Sequence, residues 1–317
     1  MFFTAAKTFT VIAILLGASI AHSTCALSTE KQPQGIVGLQ LITPGDARAW
    51  SDAEDLGVTW IRAEVRWNWI EPYQGQFDSS YTEKVFALAS AHPQMRLLVI
   101  FNHAPQWAID DAGRFPEHAA AAATWLMKRH GQRINAIEVF NEQNLPGLYG
   151  WPSVWRTPKE SAQAYAKTLT AVSSTIRELN KSVFVVTGGL SPARDPETYM
   201  RWMIRSTPPT CFDAIGGHPY GEEGRFQKVQ RNAAILLEQE NAPGKKLWFT
   251  EYGTTDNAHR SDLLASLAKE RHAAPITFFF ADQDIGWFSE TYGLRTKSGK
   301  AKPGYAAFGR LMQGLPP

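Results

Sequence analysis

The chain has 317 residues, 44% hydrophobic and 20% charged, with a formal net charge of +2. That is enough apolar material for a sizeable core, while near-neutrality without a dense Lys/Arg stripe leaves no footprint for a nucleic-acid partner. Cys25 and Cys211 are the only cysteines, which excludes a thiolate metal site and suggests no disulfide framework.

Residues 1–26 read as an export signal. Lys7 closes a mildly positive start, and Thr8 to Ile20 form an apolar run too short for a comfortable membrane span. Small residues suit cleavage after Ala21, Ser23 or Ala26, and Thr24 and His22 fit a lipid-attachment box around Cys25 poorly. The expectation is a secreted or periplasmic protein whose mature chain is one domain spanning 27–317.

From Gly35 onward, short β-branched and aromatic runs alternate with longer amphipathic stretches. The predicted strands are Ile36–Leu41, Thr59–Trp67, Arg96–Asn102, Ile134–Asn141, Val183–Gly188, Phe212–Gly217, Lys246–Glu251 and Ile276–Ala281. Their continuous apolar character suits parallel strands buried on both faces. The predicted helices are Pro44–Leu56, Ser80–Ala91, Pro116–His130, Pro158–Leu179, Pro196–Ser206, Arg225–Glu240, Arg260–Arg271 and Lys302–Met312. Pro158 and Pro196 sit at first helical positions, and Asp46 and Ser51 are candidate caps for the first helix. Eight strand–helix pairs without a linker predict a single-domain (β/α)8 TIM barrel. A doubly wound sheet is the alternative, but Gln40-Leu41-Ile42-Thr43-Pro44 after the first strand is no phosphate loop.

In such a barrel the chemistry collects at the C-terminal strand ends. Strand two carries Arg62, Glu64 and Arg66, strand three ends in Asn102-His103, and strand four in Asn141-Glu142. Strand six ends in His218-Pro219-Tyr220, strand seven in Thr250-Glu251-Tyr252, and strand eight leads past Asp282 and Asp284 to Trp287. Glu142 and Glu251 are thereby expected to face one cavity. Two carboxylates flanking a glycosidic bond are what acetal hydrolysis needs, one to protonate the leaving oxygen and the other to attack or activate water.

These motifs resemble the retaining glycoside hydrolases of the (β/α)8 clan A. Asn141-Glu142 is similar to the clan's acid/base motif, and Trp248-Phe249-Thr250-Glu251-Tyr252-Gly253 to its nucleophile strand. The segment Arg62-Ala63-Glu64-Val65-Arg66-Trp67, with Ile70-Glu71-Pro72 and Gly75-Gln76-Phe77-Asp78 after it, resembles family 39 and its neighbours in families 5 and 42. The overall flavour is closest to family 39 enzymes acting on bacterial exopolysaccharide. The resemblance implies Glu142 as acid/base and Glu251 as nucleophile, with Asn141 bonding the sugar 2-hydroxyl. It implies that Arg62 and Tyr220 orient Glu251, that His218 belongs to a His-x-Tyr pattern, and that His103 and Trp287 contact sugar. Gln143 departs from the usual Pro after the acid/base.

The loop Tyr149–Trp155 places Trp151 and Trp155 as candidate walls of the saccharide cleft, with an aromatic plug as the alternative. Trp67, Trp69 and Trp107 are similar candidates for subsite walls. Glu64 and Glu138 read as structural ion-pair partners, Arg62 pairing with one of them, and Asp282 and Asp284 as a solvated loop. No His-x-His on the first strand and no His-Glu-x-x-His appears, so no metal or cofactor is expected. The expected function is a retaining β-glycoside hydrolase whose partner is an oligo- or polysaccharide substrate, with the enzyme a monomer and endo-acting on an exopolysaccharide or β-1,4-glucan. The alternatives are an exo-acting β-xylosidase-like enzyme and a catalytically silent saccharide-binding barrel.

Overall fold

The computed structural model describes residues 25–220, 225–240, 242, 244–285 and 291–317. Eight strands close into a parallel barrel in chain order: β1 (Ile36–Leu41), β2 (Trp60–Arg66), β3 (Arg96–Asn102), β4 (Ala136–Val139), β5 (Phe184–Thr187), β6 (Ala214–Gly217), β7 (Lys246–Tyr252) and β8 (Ile276–Phe279). Main helices on the outside include Ser80–Ala91, Phe115–His130, Pro158–Leu179 and Pro196–Ser206. The fold is the (β/α)8 barrel expected from the strand–helix alternation. Among the described residues no helix is long and apolar enough to cross a membrane.

Side chains alternate across each strand, so β2 divides its residues cleanly. Ile61, Ala63 and Val65 face the shell of helices, whereas Trp60 enters the barrel with Leu98, Ala136, Phe184, Trp248 and Phe278. Above that apolar layer the same inward row continues as Arg62, Glu64 and Arg66, rising from the core to the mouth. Close packing of the lower layer requires a glycine on β1, because a Cβ on Gly38 would lie 2.6 Å from the Phe278 ring.

Helix starts follow their local chemistry. Thr157 accepts from the Glu160 N–H while Glu160 returns a bond to the Thr157 N–H, a reciprocal cap with Pro158 in the first position. Asp46 caps the first helix by accepting from the Arg48 N–H, whereas Ser51 instead donates back to the Ala47 carbonyl within it.

The expectation of no disulfide framework is corrected. Cys25 and Cys211 are joined in a disulfide, 186 residues apart in sequence, a pairing that sequence distance alone cannot suggest. It pins the segment before β1 beneath the barrel. There Asp213 accepts from the N–H groups of Ser28 at 2.6 Å and Val185 at 2.7 Å and pairs with the buried Arg177. Gln32 closes the same floor by accepting from the indole N–H of Trp248 at 3.0 Å.

A crosslink closing so long a loop removes chain entropy from the unfolded state. Cys211→Ser is therefore expected to destabilise the oxidised protein by roughly 2–5 kcal/mol. Urea denaturation with and without reductant measures it: reduction should lower the wild-type midpoint and leave the variant's unchanged.

Candidate active site

The barrel mouth opens into a cavity of about 450 Å³, lined among others by Glu64, His103, Asn141, Glu142, Tyr220 and Glu251. The two glutamates reach it by different backbone routes. After β4 the chain leaves the extended region, with φ of +65° at Phe140 and +47° at Glu142. Such left-handed values are costly for residues with a Cβ and persist only where the surroundings impose them. Here the Phe140 N–H donates to Phe101 O and the Glu142 N–H to Gly189 O, fixing the turn between β3 and β5. On β7 the register with β8 shifts between Phe249 and Tyr252. A bulge re-aims side chains that would otherwise alternate, and successive residues Thr250 and Glu251 both contribute to the site.

Arg62 organises the floor of the cavity. It is fully buried, and its Nε donates to Glu138 at 2.7 Å, Nη1 to Glu251 at 2.6 Å and also to Gln40, and Nη2 to Asn141 at 3.0 Å. Burial opposes its charge, but Glu138 and Glu251 outweigh that and raise its pKa. The sequence offered Glu138 or Glu64 as its partner; Glu138 takes that place. Arg62 is accordingly no substrate ligand itself. It acts on Glu251 and Asn141 from below.

Tyr220 donates its hydroxyl to Glu251 at 3.0 Å. Burial, then the negative charge of Glu251, raise the phenol's pKa, so it remains a donor. His218 has no exposed side-chain surface, and its Nδ1 lies 3.0 Å from Glu142 and 3.6 Å from Glu251. Its Nε2 faces the Thr250 hydroxyl at 3.1 Å. Burial resists its protonation, but the charge of Glu251 and the hydrogen bond to Glu142 prevail and raise its pKa. A Cβ on Gly189 would fall 2.1 Å from that ring, so only glycine leaves the imidazole room.

On the other side of the mouth, Glu64 accepts from Arg66 at 2.6 Å, Asn102 at 2.8 Å and His103 at 3.1 Å. Burial would raise its pKa, but these partners, His103 foremost, pull it down to about 2. His103, expected to touch sugar, lines the cavity with φ +54°. Glu64, expected to be purely structural, also lines it.

Three of the expected aromatic walls, Trp151, Trp155 and Trp67, are corrected. Trp151 is 1% exposed, donates to Ser161 at 2.8 Å and packs on Phe140, Phe115 and Tyr165; Trp155 packs at a tilt against Trp151 with ring centroids 4.8 Å apart. Both form a plug under the loop, because the turn at Phe140 creates an apolar socket there. Trp67 is likewise buried, against Phe101 and Phe115. Tyr149 is the residue of this loop that reaches the cavity. Trp287 lies outside the described residues. Gln143 is fully buried and donates to the Gly188 carbonyl at 3.1 Å, tying the turn at Glu142 to the end of β5 where a proline would have no donor. Among the described residues no group of three His, Cys, Asp or Glu could hold a metal ion.

The sequence of residues 65–289 matches the glycosyl hydrolase catalytic core family. The chain belongs to that family. It is an O-glycosyl hydrolase built on a (β/α)8 barrel. No curated protein matches it by sequence. Among solved structures it is similar to a family 39 glycoside hydrolase from the gut symbiont Bacteroides cellulosilyticus WH2, with TM-score 0.70 and 17% identity over 88% of this chain and 64% of that one. It is also similar to a GH5_18 protein from Streptomyces cattleya in complex with GlcNAc, at TM-score 0.63 and 15% identity over 89% and 80% of the two chains. A GH30 endoxylanase from Clostridium papyrosolvens C71 gives TM-score 0.63 and 17% identity over 91% and 74%. This glycosyl hydrolase thus shares its barrel with several families, not with family 39 specifically.

The loop after β8 of the hydrolase departs from a solvated one. Asp282 is buried, its carboxylate accepting from the Ile42 N–H at 2.8 Å, and Asp284 pairs with Lys302 at 2.7 Å. Burial pushes Asp282 up to about 7. A carboxyl whose pKa is raised by folding stabilises the fold fully below its unfolded value near 3.9, and the contribution is lost as pH climbs through about 7. Asp282→Asn should therefore gain stability over wild type progressively from about pH 4 to 7, as unfolding free energies at several pH values would register. A pH-independent difference would contradict this.

Proposed function

We propose that the chain is an exported retaining β-glycosidase working by double displacement, with Glu142 as acid/base and Glu251 as nucleophile. The observation that carries this reading is the single imidazole nitrogen of His218 in reach of both carboxylates, 3.0 Å from one and 3.6 Å from the other. So close an approach favours the separation of roughly 5–5.5 Å typical of retaining enzymes over the roughly 6.5–9.5 Å of inverting ones.

The partners divide the labour. Glu251 receives donors from Arg62 and Tyr220, as a carboxylate nucleophile requires. Glu142 receives neither of these donors and is the group whose carboxyl proton the reaction uses. That proton passes to the glycosidic oxygen as the bond to the anomeric carbon breaks and a Glu251 oxygen bonds that carbon. Water then attacks the same carbon, giving its proton to Glu142 and freeing Glu251. Asn141, oriented by Arg62, stands beside the reacting carbon with its amide available to a sugar hydroxyl.

The substrate class is an oligo- or polysaccharide, with endo action favoured. Trp69 and Tyr73 project from the loop after β2 at 44% and 68% exposure, where extended sugar chains find stacking surfaces. Family 39 remains the preferred relationship, on the strand-two motif. Export with signal removal ahead of Cys25 accords with the Cys25–Cys211 bridge, since disulfides persist in oxidising compartments.

Labelling with activated 2-fluoro glycosides of gluco, xylo, manno and galacto configuration should esterify Glu251; no labelling with any of them, together with full activity in Glu251→Gln, would refute the mechanism. Glu142→Gln should lose about 10²–10⁴-fold in kcat on sugars with poor leaving groups, and far less on a dinitrophenyl glycoside, whose leaving group needs no proton. Product sizing on a polysaccharide panel separates endo from exo action by the lengths released first.

A further inference from the structure

Arg62 is one cation held by two carboxylates. Glu138 approaches its Nε from the barrel interior at 2.7 Å, and Glu251 approaches Nη1 from the cavity at 2.6 Å. Glu138 is fully buried, is no part of the cavity lining, and spends its second oxygen accepting from the Gly189 N–H at 2.8 Å. It has no route to the substrate. As ions, the trio carries one uncompensated negative charge. Burying charge is costly, and a one-to-one pair of Arg62 with Glu251 would satisfy stability more cheaply.

The catalytic cycle supplies a reason for the second carboxylate. When a Glu251 oxygen bonds the anomeric carbon, the glycosidic C–O bond breaks with its electron pair on the departing oxygen, which takes the Glu142 proton. Glu251 is then a neutral ester. Arg62, with no access to water, would be left without a counter-ion if Glu138 were absent.

We propose that Glu138 is a positioning residue acting through Arg62. It shares the guanidinium in the free enzyme, so that Glu251 is not quenched by a full ion pair, and it neutralises Arg62 while Glu251 is esterified. The inference rests on the double-displacement reading. It goes beyond that reading in predicting opposite effects on the two half-reactions. Replacing Glu138 with a neutral isostere commits the whole cation to Glu251, which hinders ester formation. Ester hydrolysis regenerates the anion that Arg62 then lacks, and is not hindered.

The test measures two rates with one activated 2-fluoro glycoside: inactivation, which reports esterification, and reactivation after reagent removal, which reports hydrolysis. In Glu138→Gln, inactivation should slow by about tenfold or more, the scale of one charge-assisted contact, with reactivation at least as fast as in wild type. Glu138→Asp, which keeps the charge but lengthens the contact, should show the same asymmetry at smaller size. It carries the test if the Gln variant does not fold. Equal slowing of both steps, or no change in either, in a wild type that labels at Glu251 overturns this inference alone. A wild type that never labels there overturns the double-displacement reading and this inference together.

Discussion

A guanidinium without access to water sits at the boundary between the apolar floor of the barrel and its polar mouth, and the site is arranged around the need to satisfy it. Arg62 cannot shed its proton, so every donor must find an acceptor or the burial is prohibitive. The acceptors come from three other strands and their ends: Gln40 from β1, Glu138 and Asn141 from β4 and just beyond it, Glu251 from β7. Satisfying one side chain thus fixes the relative positions of the Asn141 amide and the Glu251 carboxylate that line the cavity. The same requirement places Glu138, fully buried, against the guanidinium from the water-free side.

Around that fixed point the backbone departs from regular geometry where side chains have to be aimed. The left-handed residues after β4 and the register shift on β7 turn Glu142 and Glu251 toward a common space, and His218 fills the gap between them. Neither departure would persist unsupported. The first is held by Phe101, Gly189 and the aromatic plug around Trp151, and the second by the closing strand β8. The plug is therefore tied to the cleft mechanically: its rings pack the turn that carries Glu142, while the lining of the cavity on that side is left to Tyr149, Glu64 and His103.

Much of this was legible in the residue string. Continuous apolar runs of strand length separated by amphipathic stretches leave few architectures other than a parallel barrel, and the strand bounds at Ile36–Leu41 and Arg96–Asn102 match those expected. The inward position of Arg62 follows from the same alternation, and the placing of Glu142, Glu251, His218 and Tyr220 at strand ends follows from the strand bounds, although the left-handed turn after β4 and the register shift on β7 are what aim the two glutamates. Other features were not legible. Trp151 and Trp155 near an expected cleft suggest sugar stacking, but whether an aromatic ring faces water or a socket depends on φ at Phe140, which sequence does not reveal. Asp282 and Asp284 read as solvent-facing because charge favours water, yet hydrogen bonding to Ile42 and pairing with Lys302 brought both into the closure of the barrel.

By itself, then, the sequence determined the periodicities: which segments are strands, which face of each is inward, and that two carboxylates stand at the ends of the fourth and seventh. Those follow from local stereochemistry and from the free energy of removing apolar side chains from water. Tertiary structure alone decided the contacts between residues far apart in the chain: Cys25 with Cys211, Arg62 with Glu138 rather than Glu64, His218 between both glutamates, and Trp151 beneath the loop rather than above it. Each depends on which side chains come within bonding or packing distance, and only barrel closure sets that.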